Sequence, residues 1–141
     1  MSYSVQTDIL EQLDEATLIQ LTDDDGAGEI DDDKVTRAVA DADATIDSYC
    51  QGRYTIPLSP VPDKIRQVSV DIAIYNLYSR RDDTAPEIRK DRYKEAVRFL
   101  EKVSDGKIDL GAATPAQVNT DNTVDITSNE RIFTREKMDG F

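Results

Sequence analysis

Histidine is missing altogether, and cysteine occurs once, at Cys50. The commonest general base is therefore unavailable, and no internal disulfide can form. No apolar run approaches the roughly 20 residues needed to cross a bilayer. The opening MSYSVQTDIL has no basic stretch followed by an apolar one, so no secretory signal is expected. No glycine-rich phosphate loop follows a strand, and no basic stripe is present to grip nucleic-acid phosphates. These gaps argue against catalysis, sequence-specific DNA binding and membrane insertion. The expectation is a soluble, cytosolic protein of 141 residues, whose 38% hydrophobic composition supports one modest core.

What is plentiful is negative charge. The formal net charge is −12, and it is unevenly spread. Residues 1–33 hold 11 acids and no Lys or Arg, whereas the other 108 residues hold 18 acids and 17 bases. The stretch from Arg80 to Lys107 is mildly positive, with nine bases and seven acids. The chain is thus expected to carry one sign at each end. Within the basic stretch, Arg89, Lys90, Arg92, Lys94 and Arg98 are interleaved with acids, which suggests intrahelical ion pairs rather than a DNA surface.

The acidic segment LTDDDGAGEIDDDKV (21–35) packs seven carboxylates around two glycines. With Asp23 at the first position of a calcium-binding EF-hand loop, Asp25, Gly28, Ile30 and Asp31 fall at the third, sixth, eighth and ninth. Ala27 then stands at the fifth position, without a side-chain oxygen. Lys34 stands at the twelfth, where a bidentate Glu belongs. Asp23, Asp25, Glu29 and Asp31 are therefore weak metal candidates, and no metal or cofactor is expected. The favoured reading is a glycine hinge followed by a helix start, with Asp31 as N-cap and aspartates matched to the helix dipole.

Helical periodicity runs through most of the chain up to Gly106. Thr7–Asp8 opens a short helix with Ile9, Leu10 and Leu13, and Asp14 caps a second with Leu18 and Leu21. Beyond the acidic loop, Val35, Ala38, Val39, Ala42, Ile46, Tyr49 and Cys50 recur at spacings of three and four, up to a stop at Gly52. The strap GRYTIPLSPVP cannot be helical, because its prolines remove donors and extend their predecessors. Ile56 and Leu58 are expected to pin it. A helix from Pro62 to Arg80 has one face of Ile65, Val68, Ile72 and Tyr75 and another of Val70, Ile74 and Leu77. Such a helix is central, or is covered by a neighbouring subunit, and the second face is a candidate subunit interface. Thr84 and Glu87 suit a capping box for a last helix carrying Ile88, Tyr93, Ala96, Val97, Leu100 and Val103.

These features predict a mainly α fold: a small helical bundle over residues 1–106, with a Pro-rich strap and the acidic loop at 22–33. Residues 107–141 read as an extended, partly β tail, with one short strand at Val124 and Ile126. Such a tail cannot fold alone. Its Arg131, Phe133, Arg135, Met138 and Phe141 are the residue types that concentrate at interfaces, so it is a candidate docking segment.

Several stretches together resemble a known family: VADADATIDSYCQGRYTIPL, DIAIYNLYSRR, RYKEAVRFLEKVSDGKIDLG and SNERIFTREKMDGF. With the start MSYSVQTDIL and the acidic loop, they cover nearly the whole chain in order. The family is that of Mu-like phage proteins related to the head-to-tail adaptors, or connectors, of long-tailed bacteriophages. The resemblance implies a helical subunit of a virion neck, docked as a ring of about twelve copies beneath the portal. It implies assembly in the host cytoplasm, a tail-side completion or terminator protein as second partner, and double-stranded DNA passing non-specifically through the centre. It carries no catalytic residues. Within such a ring, Asp23, Asp24, Asp25, Asp31, Asp32 and Asp33 are expected to line the channel or a collar and let DNA slide. The alternative is a small acidic protein-binding or metal-responsive regulatory module.

Overall fold

A computed structural model describes residues 2–80 and 85–114. Five helices follow in order: α1 (Gln6–Leu10), α2 (Glu15–Thr22), α3 (Asp32–Cys50), α4 (Asp63–Ser79) and α5 (Glu87–Ser104). No strand occurs among the described residues. The mainly α fold expected from periodicity is the fold observed. The proposed strand at Val124 and Ile126 lies outside the described residues.

Helix α4 decides the arrangement, because more than one of its faces is apolar. Ile65, Val68, Val70, Ile72, Ala73, Ile74 and Leu77 are all buried. An α-helix apolar on more than one side needs more than one neighbour. Here α3 packs along one side, α5 along another, and α1 and α2 close a third. The α3 residues chosen by spacing (Val35, Ala38, Val39, Ala42, Ile46 and Cys50) are buried, while Tyr49 is half-buried at the edge. On α5 the buried residues are Ala96, Leu100 and Val103.

The N-terminal segment is fastened by polar groups. The Tyr3 hydroxyl donates to the Asp47 carboxylate and accepts the Leu58 N–H at 3.0 Å. The Tyr3 N–H reaches Asp43 Oδ1 at 3.2 Å. Ser4 and Ser69, both buried, share a hydroxyl–hydroxyl bond of 2.7 Å. Burial first, and then the Asp47 carboxylate, push the Tyr3 phenol well above its usual pKa. One tyrosine thereby joins the N-terminus, α3 and the proline strap, and it satisfies a strap N–H that burial would otherwise strand.

Helix α5 stops at a left-handed glycine. Gly106 has φ of 82°, with its N–H on the Val103 carbonyl and the Lys107 N–H on the Lys102 carbonyl. Arg53 Nη1 also donates to the Val103 carbonyl, at 2.9 Å. After this stop the chain runs back over the bundle. The Leu110 N–H donates to the Tyr54 hydroxyl, the Thr55 N–H donates to the Ala113 carbonyl, and Ile108, Leu110 and Ala112 pack on the core. Residues 107–113, expected as the first part of a separate tail, therefore lie on the helical body.

Other expectations change in detail. Leu58 pins the strap, but Ile56 is 38% exposed. Ile88 is 59% exposed, and Leu10 also faces outward. Helix α1 starts after Val5, ahead of the expected Thr7–Asp8 start, and Asp8 accepts the Val5 N–H. Pro62 sits in the cap of α4 rather than its first turn. Pro86, not Thr84, occupies the cap position of α5, and Thr84 lies outside the described residues.

Replacing Tyr3 with Phe removes one hydroxyl and leaves the buried Leu58 N–H unpaired. The expected loss is about 1–3 kcal/mol, read by chemical denaturation. A loss near zero would show that the strap does not depend on this bond.

Candidate functional site

The acidic loop is an ordered structure. The Thr22 hydroxyl donates back to the Leu18 carbonyl and accepts the Asp31 N–H at 3.1 Å, which closes the base of the loop. Asp23 accepts from the N–H groups of Ala27 at 3.0 Å and Gly28 at 2.8 Å. These amides hold its carboxyl below the usual carboxylate range, Gly28 contributing most. The turn needs left-handed backbone at Gly26 and Gly28, with φ of 73° and 75°.

Two cations fasten the loop. Arg80, at the end of α4, grips both oxygens of Asp24 at 2.8–3.2 Å and donates to the Leu21 carbonyl at 3.3 Å. Lys34 lies 2.6 Å from Asp24 and 3.0 Å from Asp31, and donates to the Thr22 carbonyl at 3.3 Å. The Lys34 pKa is raised by Asp24 first and Asp31 second, while Asp31 is lowered chiefly by Lys34. Asp31 also caps α3, accepting from the N–H groups of Asp33 and Lys34. The Lys at the place of the expected glutamate ligand is thus the loop's own counter-ion.

Asp23, Asp25, Glu29 and Asp31 are not brought together as a ligand set. No group of three or more Asp, Glu, His or Cys that could hold a metal ion occurs among the described residues. Of the six aspartates expected to line a channel or collar, Asp23 is engaged by the loop's own amides, Asp24 by Arg80 and Lys34, and Asp31 by Lys34. Asp25, Asp32 and Asp33 are exposed, as is Glu29, and among the described residues their side chains make no hydrogen bond or ion pair. The expected separation of charge along the chain is also modified in space, because Arg80 of the basic stretch lies on Asp24 of the acidic one.

Val70, Ile74 and Leu77 are 3%, 0% and 1% exposed in a single copy. The expectation that this face waits for a neighbouring subunit is overturned: the protomer's own helices cover it. The candidate docking residues Arg131, Phe133, Arg135, Met138 and Phe141 lie outside the described residues.

Sequence reasoning did not find the cleft between the α1–α2 turn, α4 and α5, which has a volume of about 520 Å³. Gln12 holds two guanidinium groups there. Arg89 donates to its carbonyl at 2.9 Å, and Arg92 donates to its side-chain oxygen at 2.8 Å. On the cleft floor, Asp71 has one buried oxygen that accepts no hydrogen bond. Burial raises the Asp71 pKa, and Arg92, Arg89 and Lys64 pull it the other way. The signal in the sequence is slight: one acid amid the apolar run of α4. The expected intrahelical ion pairs of α5 do not form among the described residues, where the ion pairs instead belong to Lys34, Arg66 and Arg80.

A profile of the family described as Bacteriophage Mu, Gp36 matches residues 3–128. The chain belongs to the bacteriophage Mu Gp36 family. It is 32% identical over 144 aligned positions to gene product J of Escherichia phage Mu, covering 100% of this chain and 99% of that protein. It is 37% identical over 116 residues to the Mu-like prophage FluMu protein gp36 of Haemophilus influenzae, covering 82% of this chain and 80% of that protein. The Gp36 match takes in all five helices and extends beyond them. No helix among the described residues is long and apolar enough to cross a membrane.

Arg80→Ala should cost only about 1 kcal/mol or less, because the pair is partly solvated. It should speed amide hydrogen exchange across residues 24–30, and unchanged exchange would show that Arg80 does not fasten the loop. For Asp71, the raised folded-state pKa means that folding opposes ionisation. Stability should fall as pH rises from the ordinary carboxylate pKa of about 3.9 through the raised value. Asp71→Asn should therefore be more stable than the parent protein at neutral pH and lose that advantage in acid. Parallel denaturation curves at the two pH values check this.

Proposed function

We propose that this Gp36-family protein is a structural subunit of the phage head–tail connector. Copies would form a ring under the portal and contribute to the passage for double-stranded DNA between capsid and tail. The observation that carries the reading is a small core closed among the described residues and bordered by an ordered loop with outward-facing carboxylates. Asp25, Glu29, Asp32 and Asp33 of the loop are exposed, while the outer side of α5 mixes Lys94, Arg98 and Lys102 with Glu87, Asp91, Glu95 and Glu101. Large exposed apolar residues among those described are few and scattered: Val5, Leu10, Ile56 and Ile88. Such a body is suited to docking through charge and through an appended segment rather than through a greasy flank.

The near end-to-end relation to a phage Mu protein supports a phage structural or assembly role, and the resemblance to a Mu-like family related to connectors adds to the reading. The net charge of −12 is of the right sign for a DNA passage, since it repels phosphates and leaves the duplex free to slide. In this reading the partners are sibling copies, the portal and a tail-side completion or terminator protein. The site is the virion neck, reached after assembly in the host cytoplasm. The role is mechanical, and no reaction is assigned. The segment with Arg131, Phe133, Arg135, Met138 and Phe141 is assigned to docking on the portal or a neighbouring copy, because aromatic, Met and Arg side chains are common interface anchors.

Deleting residues 128–141 should abolish seating on the portal and leave the helical signal in circular dichroism unchanged. Phe133→Ala should reproduce part of the loss, about 2 kcal/mol of binding. Electron microscopy of assembled necks reads both. Necks completed normally by the truncated protein would remove the docking role, and necks that lack the wild-type chain would remove the connector assignment.

A further inference from the structure

In the cleft between the α1–α2 turn, α4 and α5, donors and acceptors are mismatched. Gln12, Asp71, Arg89 and Arg92 all line it. Gln12 is neutral, yet it holds the cations: Arg89 donates to its carbonyl at 2.9 Å and Arg92 Nη1 to its Oε1 at 2.8 Å. Asp71 can carry a full charge, yet one of its oxygens is buried and accepts no hydrogen bond. Neither arginine forms an ion pair among the described residues. A buried carboxylate without a partner is far costlier than a solvated amide without one. Hydrogen bonds to an ionised acceptor are also roughly twice as strong as those to a neutral one. The observed bonding therefore suits a protonated Asp71, and an ionised Asp71 would compete with Gln12 for the same guanidinium.

We propose that Arg92 is shared between two acceptors, and that ionisation of Asp71 draws it off Gln12. With Asp71 neutral, both arginines stay on Gln12 and latch the α1–α2 turn to α5. With Asp71 ionised, Arg92 swings to its carboxylate and the turn is held by Arg89 alone. The exchange needs one side chain to move and no helix. Arg92 is chosen over Arg89 and Lys64 because its charge acts on Asp71 most strongly of the three. Its bond to Gln12 is also the easier to give up, since Gln12 is exposed and water can take the place of the guanidinium. The other charges around Asp71 are Lys64 of α4, Arg89 and Glu95 of α5, and Glu11 of the α1–α2 turn. Lys64, Glu95 and Glu11 are exposed, so water weakens their influence. Burial is the largest influence on Asp71 and raises its pKa, which draws the exchange from the ordinary carboxylate range toward neutral pH.

The test is nuclear magnetic resonance of the full-length protein, titrated from acid to neutral pH. The Asp71 carboxyl carbon, the Gln12 side-chain amide and the Arg92 Nε–H should shift with one shared midpoint. In Asp71→Asn the Gln12 and Arg92 shifts should be lost, with circular dichroism confirming the fold. In Arg92→Gln the Asp71 midpoint should move to higher pH, because a nearby cation is gone, and the Gln12 amide should no longer follow it. A Gln12 amide that stays constant while Asp71 titrates would overturn the exchange. So would Gln12 and Arg92 shifts that persist in Asp71→Asn, which would assign them to Glu11 or Glu95. An Asp71 midpoint unmoved in Arg92→Gln would show that Arg92 is not its partner, and this second variant decides the matter even where the first does not fold. No step involves other chains, so the outcome is independent of the connector reading.

Discussion

A helix that is apolar on more than one side needs several neighbours, and α4 is such a helix, with its polar row of Lys64, Gln67 and Asp71 left on a cleft. Its burial needs α3, α5, the two short N-terminal helices and the proline strap around it. That demand leaves little apolar surface free on the helical body. Among the described residues, what the body leaves exposed is mostly charged and polar rather than apolar. The covering of Val70, Ile74 and Leu77 within one copy is the reason the assembly reading rests on the loop and the terminal segment and not on that face.

Much of this architecture is legible in the sequence. Spacing in threes and fours located α3, α4 and α5 to within a few residues, because each buries a long continuous face. The Asp31 cap was legible because capping is local chemistry. Ile88 and Ile56 were misjudged for the opposite reason: an isolated apolar residue near an element's end says nothing about whether a neighbour is there to cover it.

The site was far less legible, because its decisive bonds join residues distant in sequence. Arg80 meets Asp24 across 56 positions, and Arg89 meets Gln12 across 77. In a linear reading the acids of residues 1–33 and the bases after Arg80 look like separate poles. Folding brings part of each together, and what remains free is a smaller and more specific set of charges. The polar fastening of Tyr3 was hidden for the same reason, since neither Asp47 nor Leu58 is near it in sequence. The interleaved charges of α5 invited pairing on paper, yet the side chains stay apart.

Cys50 illustrates a practical result of this packing. It is fully buried on α3, and desolvation lifts its thiol to a pKa of about 11. A thiol so sheltered and so rarely ionised is nearly inert toward maleimides and other alkylating reagents while the bundle is closed. The native chain therefore offers a chemically silent background. A single cysteine engineered onto the surface could accept a fluorophore or spin probe selectively, and slow modification of Cys50 itself would report the bundle opening.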